Sequence, residues 1–173
     1  MFAKEEDRTK IKICGITNLQ DARFVAGALA DFIGFIFYEK SPRYIEPAQA
    51  GAIVNWLEGP RPVGVFVNED IETVNETAVQ TGIELVQLHG NESPEYCSSV
   101  EKPVIKVIHV NKDTTPHDIE QQISDYLPHI EHLLFDTKIE KLWGGTGKTF
   151  DWELLKELTD EISFFLSGGL NSQ

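Results

Sequence analysis

Two side chains stand where proton transfer could be carried out. Cys14 lies in the apolar stretch IKICGI and is followed by a glycine, and Asp136 sits near the end of the apolar run HLLFDT. A carboxylate in such a run must be hydrogen-bonded, face a cavity or cap a helix. A thiol at a strand end is either a small hydrophobe or, beside a functional partner, a nucleophile or base. On the residues alone, both readings of each side chain stay open.

Other polar groups could bind. In SGGLN, Ser167 to Asn171, the N–H groups of Gly168 and Gly169 ahead of a helix N-terminus would bind a phosphate, unless the dipeptide is an ordinary turn. In QLHG, Gln87 and His89 reach the end of a strand, where the histidine can serve as a hydrogen-bonded rim residue. Arg43, in SPRYI, offers a fork for a carboxylate or a solvated loop cation.

The loop GGTGKT, from Gly144 to Thr149, looks like a nucleotide cradle, yet a Walker A loop needs another glycine five residues before Gly147, and Leu142 stands there. The alternatives are a surface turn or a mobile lid in which Gly144, Gly145 and Gly147 supply the freedom and Lys148 meets an anion. No GxGxxG turn, no His, Cys, Asp and Glu set with metal spacing, and no Ser, His and Asp set is found. Neither a metal nor a cofactor is expected.

These residues need elements to hold them. The chain has 173 residues, 41% hydrophobic, which suits one domain with a sizeable core. Residues 1–10 read as a flexible N-terminal extension and 11–173 as a single domain. Its net charge of −13 disfavours nucleic acid and anionic membrane as partners, while a small anionic substrate remains possible in a pocket with local donors. Cys14 and Cys97 show no disulfide or zinc spacing, and no signal peptide or membrane span is visible, so a cytoplasmic protein is expected.

Apolar runs recur at IKICGI (11–16), FIGFIF (32–37), PVGVFV (62–67), LVQLHG (85–90), VIKVIHV (104–110), HLLFDT (132–137) and FFLSGGL (164–170). Several are apolar on both faces, as in parallel strands buried between layers. Between them lie helical periods: one opened by a capping box from Thr17 to Gln20, others by Asn68, Ser93-Pro94, Thr115-Pro116 and Asp151. Strand–helix alternation implies an α/β protein, either an open doubly wound sheet or a (β/α)₈ barrel. Polar residues at the ends of several strands suit the barrel, whose site is assembled at one mouth.

In chain order, KICGIT (12–17), GFIFYEKSPRYI (34–45), VGVFVNE (63–69), VQLHGNE (86–92), LFDTK (134–138), GGTGKTFDW (144–152) and LSGGLN (166–171) resemble the phosphoribosylanthranilate isomerases of tryptophan biosynthesis. The resemblance implies a (β/α)₈ TIM barrel and an Amadori rearrangement of N-(5′-phosphoribosyl)anthranilate without cofactor or metal. It implies Asp136 as general acid, Cys14 as general base, Arg43 on the anthranilate carboxylate, and Gly168 with Gly169 as half of a phosphate site. Gln87 and His89 become substrate-binding, and the loop with Gly144 and Gly145 a lid. The family continues past the seventh strand, so a C-terminally incomplete barrel with about seven strands is expected.

The implied partner is a small sugar-phosphate substrate, and the acidic surface suits a monomer or homodimer. Two alternatives are kept. A non-catalytic phosphate-ester-binding module, or a fragment that needs a partner chain, would fit a short barrel. The imidazole-pathway aldose isomerases share the reaction type, but usually carry an aspartate as base on the first strand, and Cys14 argues against them.

Overall fold

The computed structural model describes residues 8–111, 113–137, 152, 155 and 162–170. Its elements alternate from the first strand: β1 (Lys12–Cys14), α1 (Leu19–Gly27), β2 (Phe32–Ile36), α2 (Pro47–Val54), β3 (Arg61–Phe66), α3 (Ile71–Thr81), β4 (Leu85–Leu88), α4 (Pro94–Ser98), β5 (Val104–Val110), α5 (Pro116–Tyr126), β6 (His132–Thr137) and β7 (Phe164–Leu166). The strands follow in chain order, β1 to β7. Every apolar run read as a strand matches one, and those of β5 and β6 coincide with their runs. The others differ from their runs at one end or both, and β3 begins one residue earlier, at Arg61.

The chain divides into two compact units, Met1–Phe66 with Glu72–Val86, and Val67–Ile71 with Gln87–Gln173. In the first, β1 pairs with β2 and β2 with β3, all parallel. All five residues of β2 are buried, as expected of a strand covered on both faces. Ile33, Phe35, Ile45, Phe66 and Ile83 are among the largest side chains fully enclosed. In the second unit, β5 pairs with β6 and β6 with β7, again in parallel. Ile108, Val110, Ile119, Ile123, Leu133, Phe135 and Leu155 form its core. The Phe164 ring meets Phe135 edge-on, centroids 5.1 Å apart. Enclosing a side chain such as Phe135 contributes about 1.5–3 kcal/mol.

Helix starts follow local chemistry. Ser93 caps α4 by accepting from the Tyr96 N–H, and Thr115 closes a full capping box with Asp118 on α5. At α1 the cap is Asn18, accepting from the Asp21 N–H. That corrects the expected Thr17–Gln20 box by one residue: the helix begins at Leu19, so the residue before it, Asn18, is the one whose side-chain oxygen meets the N–H three positions on. Helix α2 fits the expected alternation, and Pro47 opens it at the favoured first position.

Asn68 does not serve as a helix cap. Its φ is +49°, its side-chain oxygen accepts from the Asn91 N–H at 2.7 Å, and its own N–H donates to Glu92 Oε1 at 2.8 Å. Asp151, expected to open a helix, the glycine loop with Gly144 and Gly145, Lys148, and Asn171 lie outside the described residues.

Candidate active site

In the first unit, β1 ends at Cys14, which lies beside Gly34 in the parallel register of β1 and β2. A Cβ placed on Gly34 would stand 2.7 Å from the Cys14 sulfur and 3.2 Å from its Cα. The absent side chain is therefore what admits the thiol. After Cys14 the chain turns at Gly15, with φ +90°, and the Gly15 N–H donates to Gly34 O at 2.9 Å. Arg43 crosses this turn: its Nη1 donates to Cys14 O at 2.8 Å, and a Cβ on Gly15 would come within 2.6 Å of that nitrogen. A guanidinium carries five N–H donors in a planar fork, so one anchoring bond leaves donors for a ligand carboxylate. Cys14 and Arg43, far apart in sequence, are thus brought together.

In the second unit, Asp136 stands one residue before the end of β6, 4% exposed. Its Oδ1 accepts from the Thr137 N–H at 2.8 Å, and its Oδ2 lies 3.5 Å from His89 Nε2. His89 follows β4 and is itself buried, with Nδ1 3.0 Å from the amide nitrogen of Gln87. His109, the register partner of Asp136 on β5, turns its Nε2 to the His89 carbonyl at 2.9 Å. Because a carbonyl only accepts, that His109 nitrogen carries a proton. The two imidazoles meet edge to face with centroids 5.1 Å apart.

Gly168 and Gly169 follow β7 with φ of +87° and +72°. The Ser167 N–H donates to Phe135 O at 2.8 Å, which holds this turn against β6. A Cβ on Gly168 would press on Thr137 Oγ1 and stand 3.0 Å from Asp136 Oδ1. Gln87, His89, Asp136 and Gly168 therefore form one neighbourhood, whose polar groups can move a proton at Asp136 and whose glycine backbone approaches closely.

Sequence reasoning missed three participants. Gly34 looked like a strand residue, and its meaning appears only through the register with Cys14. His109 stood in plain view in VIKVIHV, as did Lys106, a cation in the middle of a buried strand and hence a sign of a buried partner. That partner is Glu92, 2.6 Å away. Among the described residues, no group of three His, Cys, Asp or Glu could hold a metal, and no helix is long and apolar enough to cross a membrane.

A family model described as N-(5′-phosphoribosyl)anthranilate (PRA) isomerase matches residues 11–173. The chain is 42% identical over 162 residues to the N-(5′-phosphoribosyl)anthranilate isomerase of Geobacter metallireducens, covering 93% of this chain and 77% of that protein. It is 43% identical over 164 residues to the isomerase of Geobacter sp. (strain M21), with 94% and 78% covered. The crystal structure of phosphoribosyl anthranilate isomerase from Thermotoga maritima superposes with a TM-score of 0.82 at 39% identity, covering 95% of this chain and 78% of that one. A second crystal structure, of the isomerase in complex with reduced 1-(o-carboxyphenylamino)-1-deoxyribulose 5-phosphate, gives a TM-score of 0.79 at 38% identity, with 95% and 77% covered. The fold class is therefore that of the (β/α)₈ barrels, with seven strands among the described residues.

Proposed function

Because this chain belongs to the N-(5′-phosphoribosyl)anthranilate isomerase family, we propose that it carries out the family reaction with Asp136 as general acid and Cys14 as general base. The chain is an isomerase of tryptophan biosynthesis acting on a sugar phosphate. The observation that carries the assignment of Asp136 is its buried carboxyl at a strand end, with one oxygen held by a backbone N–H and the other turned to His89.

The reaction redistributes bonds within one molecule. Asp136 gives its proton to the furanose ring oxygen as the C1′–O bond breaks, and the anilino nitrogen supplies the electron pair that forms an iminium. The Cys14 thiolate removes the C2′ proton, and the electrons of that C–H bond form an enolamine. Protonation at C1′ as the 2′-hydroxyl loses its proton then gives the aminoketose. Electrons lost at C2′ are gained at C1′, so the sum is balanced without an external oxidant. Each positioned acid or base contributes about 10²–10⁴-fold.

Arg43 is assigned to the anthranilate carboxylate, and the N–H groups of Gly168 and Gly169 to the phosphate. Gln87 and His89 complete the binding set. Under this reading residues 11–173 act as one domain in the cytoplasm. A structure of mutually generated monomers from the dimeric Thermotoga maritima isomerase supports a monomer or homodimer here.

The test is steady-state turnover of Asp136→Asn and Cys14→Ser, alongside binding of a product-like phosphate ester. Each substitution should lower kcat by about 10²–10⁴-fold with binding largely kept. Turnover near that of the parent chain would remove the role assigned to that residue, and binding without any turnover in the parent would favour a non-catalytic phosphate-binding module.

A further inference from the structure

We infer that Gln87 holds His89 in the tautomer protonated at Nε2, so that His89 cannot take the proton of Asp136 and instead donates to the carboxylate left when that proton is delivered. This rests on the reading of Asp136 as the general acid. It gives Gln87 and His89 positioning roles beyond contact with substrate.

Three contacts define the arrangement. The amide nitrogen of Gln87 lies 3.0 Å from His89 Nδ1, and an amide N–H₂ group only donates, so Nδ1 must present its lone pair. In a neutral imidazole the proton then sits on Nε2, the nitrogen 3.5 Å from Asp136 Oδ2. The other carboxyl oxygen, Oδ1, already accepts from the Thr137 N–H at 2.8 Å. Oδ2 is the oxygen that faces His89, and the nitrogen facing it is a donor.

The reversed amide would have the opposite effect. With Gln87 Oε1 toward the ring, Nδ1 would carry the proton and Nε2 would present a lone pair to Asp136, ready to absorb the proton intended for the ring oxygen. Gln87 is 3% exposed, and its Oε1 is buried with no hydrogen-bonding partner among the described residues. Its amide thus meets a hydrogen-bonding partner at its histidine end. His89 is held in turn through its carbonyl by His109 Nε2, 2.9 Å away. That bond restrains the backbone without using either His89 ring nitrogen.

The proton balance is simple. Before ring opening the acidic proton is on Asp136 and the imidazole is neutral. Afterwards the proton is on the sugar oxygen, Asp136 is a carboxylate, and the same Nε2–H donates to it. No proton enters or leaves His89 at any step.

The test uses the full chain labelled with ¹⁵N. Long-range ¹H–¹⁵N correlations of the imidazoles, with His89 assigned through His89→Gln, report which ring nitrogen is protonated. The expected result is Nε2–H in the parent chain and a proton moved to Nδ1 in Gln87→Glu, since a carboxylate only accepts. In Gln87→Met, which has similar volume and no amide, kcat should fall about tenfold.

A parent chain protonated at Nδ1 alone, or a Gln87→Glu spectrum unchanged from the parent, overturns the inference. If Gln87→Met does not fold, the near-isosteric Gln87→Glu still decides it. Asp136→Asn separates the two levels: parental turnover there removes the general-acid reading itself, whereas a dead Asp136→Asn beside a fully active Gln87→Met removes only the lock.

Discussion

Lys106 Nζ lies 2.6 Å from Glu92 Oε2, with 3% and 1% of the two side chains exposed. This ion pair is shut away from water and bound on every side. Glu92 also accepts from the N–H groups of Asn68 and Gly90, while Lys106 donates to Gly90 O at 2.8 Å and lies over the Tyr126 ring. Removing either partner strands a buried charge. Glu92→Ala or Lys106→Met should each cost about 3–5 kcal/mol in urea unfolding, and a loss below about 1 kcal/mol would show that the pair is not needed for stability.

Gly34 controls the room available to the Cys14 thiol. Its backbone is not in the left-handed region, so an alanine meets no conformational barrier there, only Cys14, whose sulfur its Cβ would crowd at 2.7 Å and whose Cα it would approach to 3.2 Å. Gly34→Ala should leave the melting temperature within a few degrees and lower turnover about tenfold or more, since a displacement near 1 Å at a reacting group can cost about 10²-fold. An unchanged kcat would mean that the thiol's present position is not the productive one.

The two thiols should separate chemically. Burial pushes the Cys97 thiol up to about 11, with 2% of the residue exposed, whereas Cys14 is only half-buried. Since the thiolate is the reactive form, iodoacetamide at pH 8 should label Cys14 well before Cys97 in the folded chain. Mass spectrometry of the peptides would show this, and equal labelling would contradict the burial of Cys97.

Acid should weaken α5 through its cap. Side-chain and backbone hydrogen bonds from Thr115 hold the Asp118 carboxyl below its ordinary value. The ionised form is thus favoured by folding. Its contribution is present above the titration range of the unfolded aspartate and fades as pH falls through the folded one. Asp118→Asn should therefore be less stable than the parent at pH 7, with the difference closing towards pH 2. A pH-independent difference would assign the effect to something other than this charge.

The sequence exposed the strand ends more readily than the relations between them. Runs such as VIKVIHV and HLLFDT mark their strands residue for residue, because burial on two faces favours apolar side chains at successive positions. Cys14 and Asp136 were visible for the converse reason, as reactive groups at the ends of such runs. What stayed hidden depends on register or on rotamer: the match of Gly34 to Cys14, of His109 to Asp136, and the orientation of the Gln87 amide. Asn68 misled because its composition suits a helix cap equally well. Only the nearby Asn91 N–H explains where its side chain goes.

That last contact reaches further than one misplaced cap. The segment after β3 and the segment after β4 share their hydrogen bonds: Asn68 gives its N–H to Glu92 and takes that of Asn91, and a Cβ on Gly90 would come within 2.6 Å of Asn68 Cγ. Barrel enzymes diversify by exchanging such loops one at a time on a constant scaffold. Here the two are a single cassette. A transplant of either one into another barrel would bring an orphaned carboxylate or an unfilled amide with it, so inheritance and engineering alike would have to move residues 67–71 and 89–92 together.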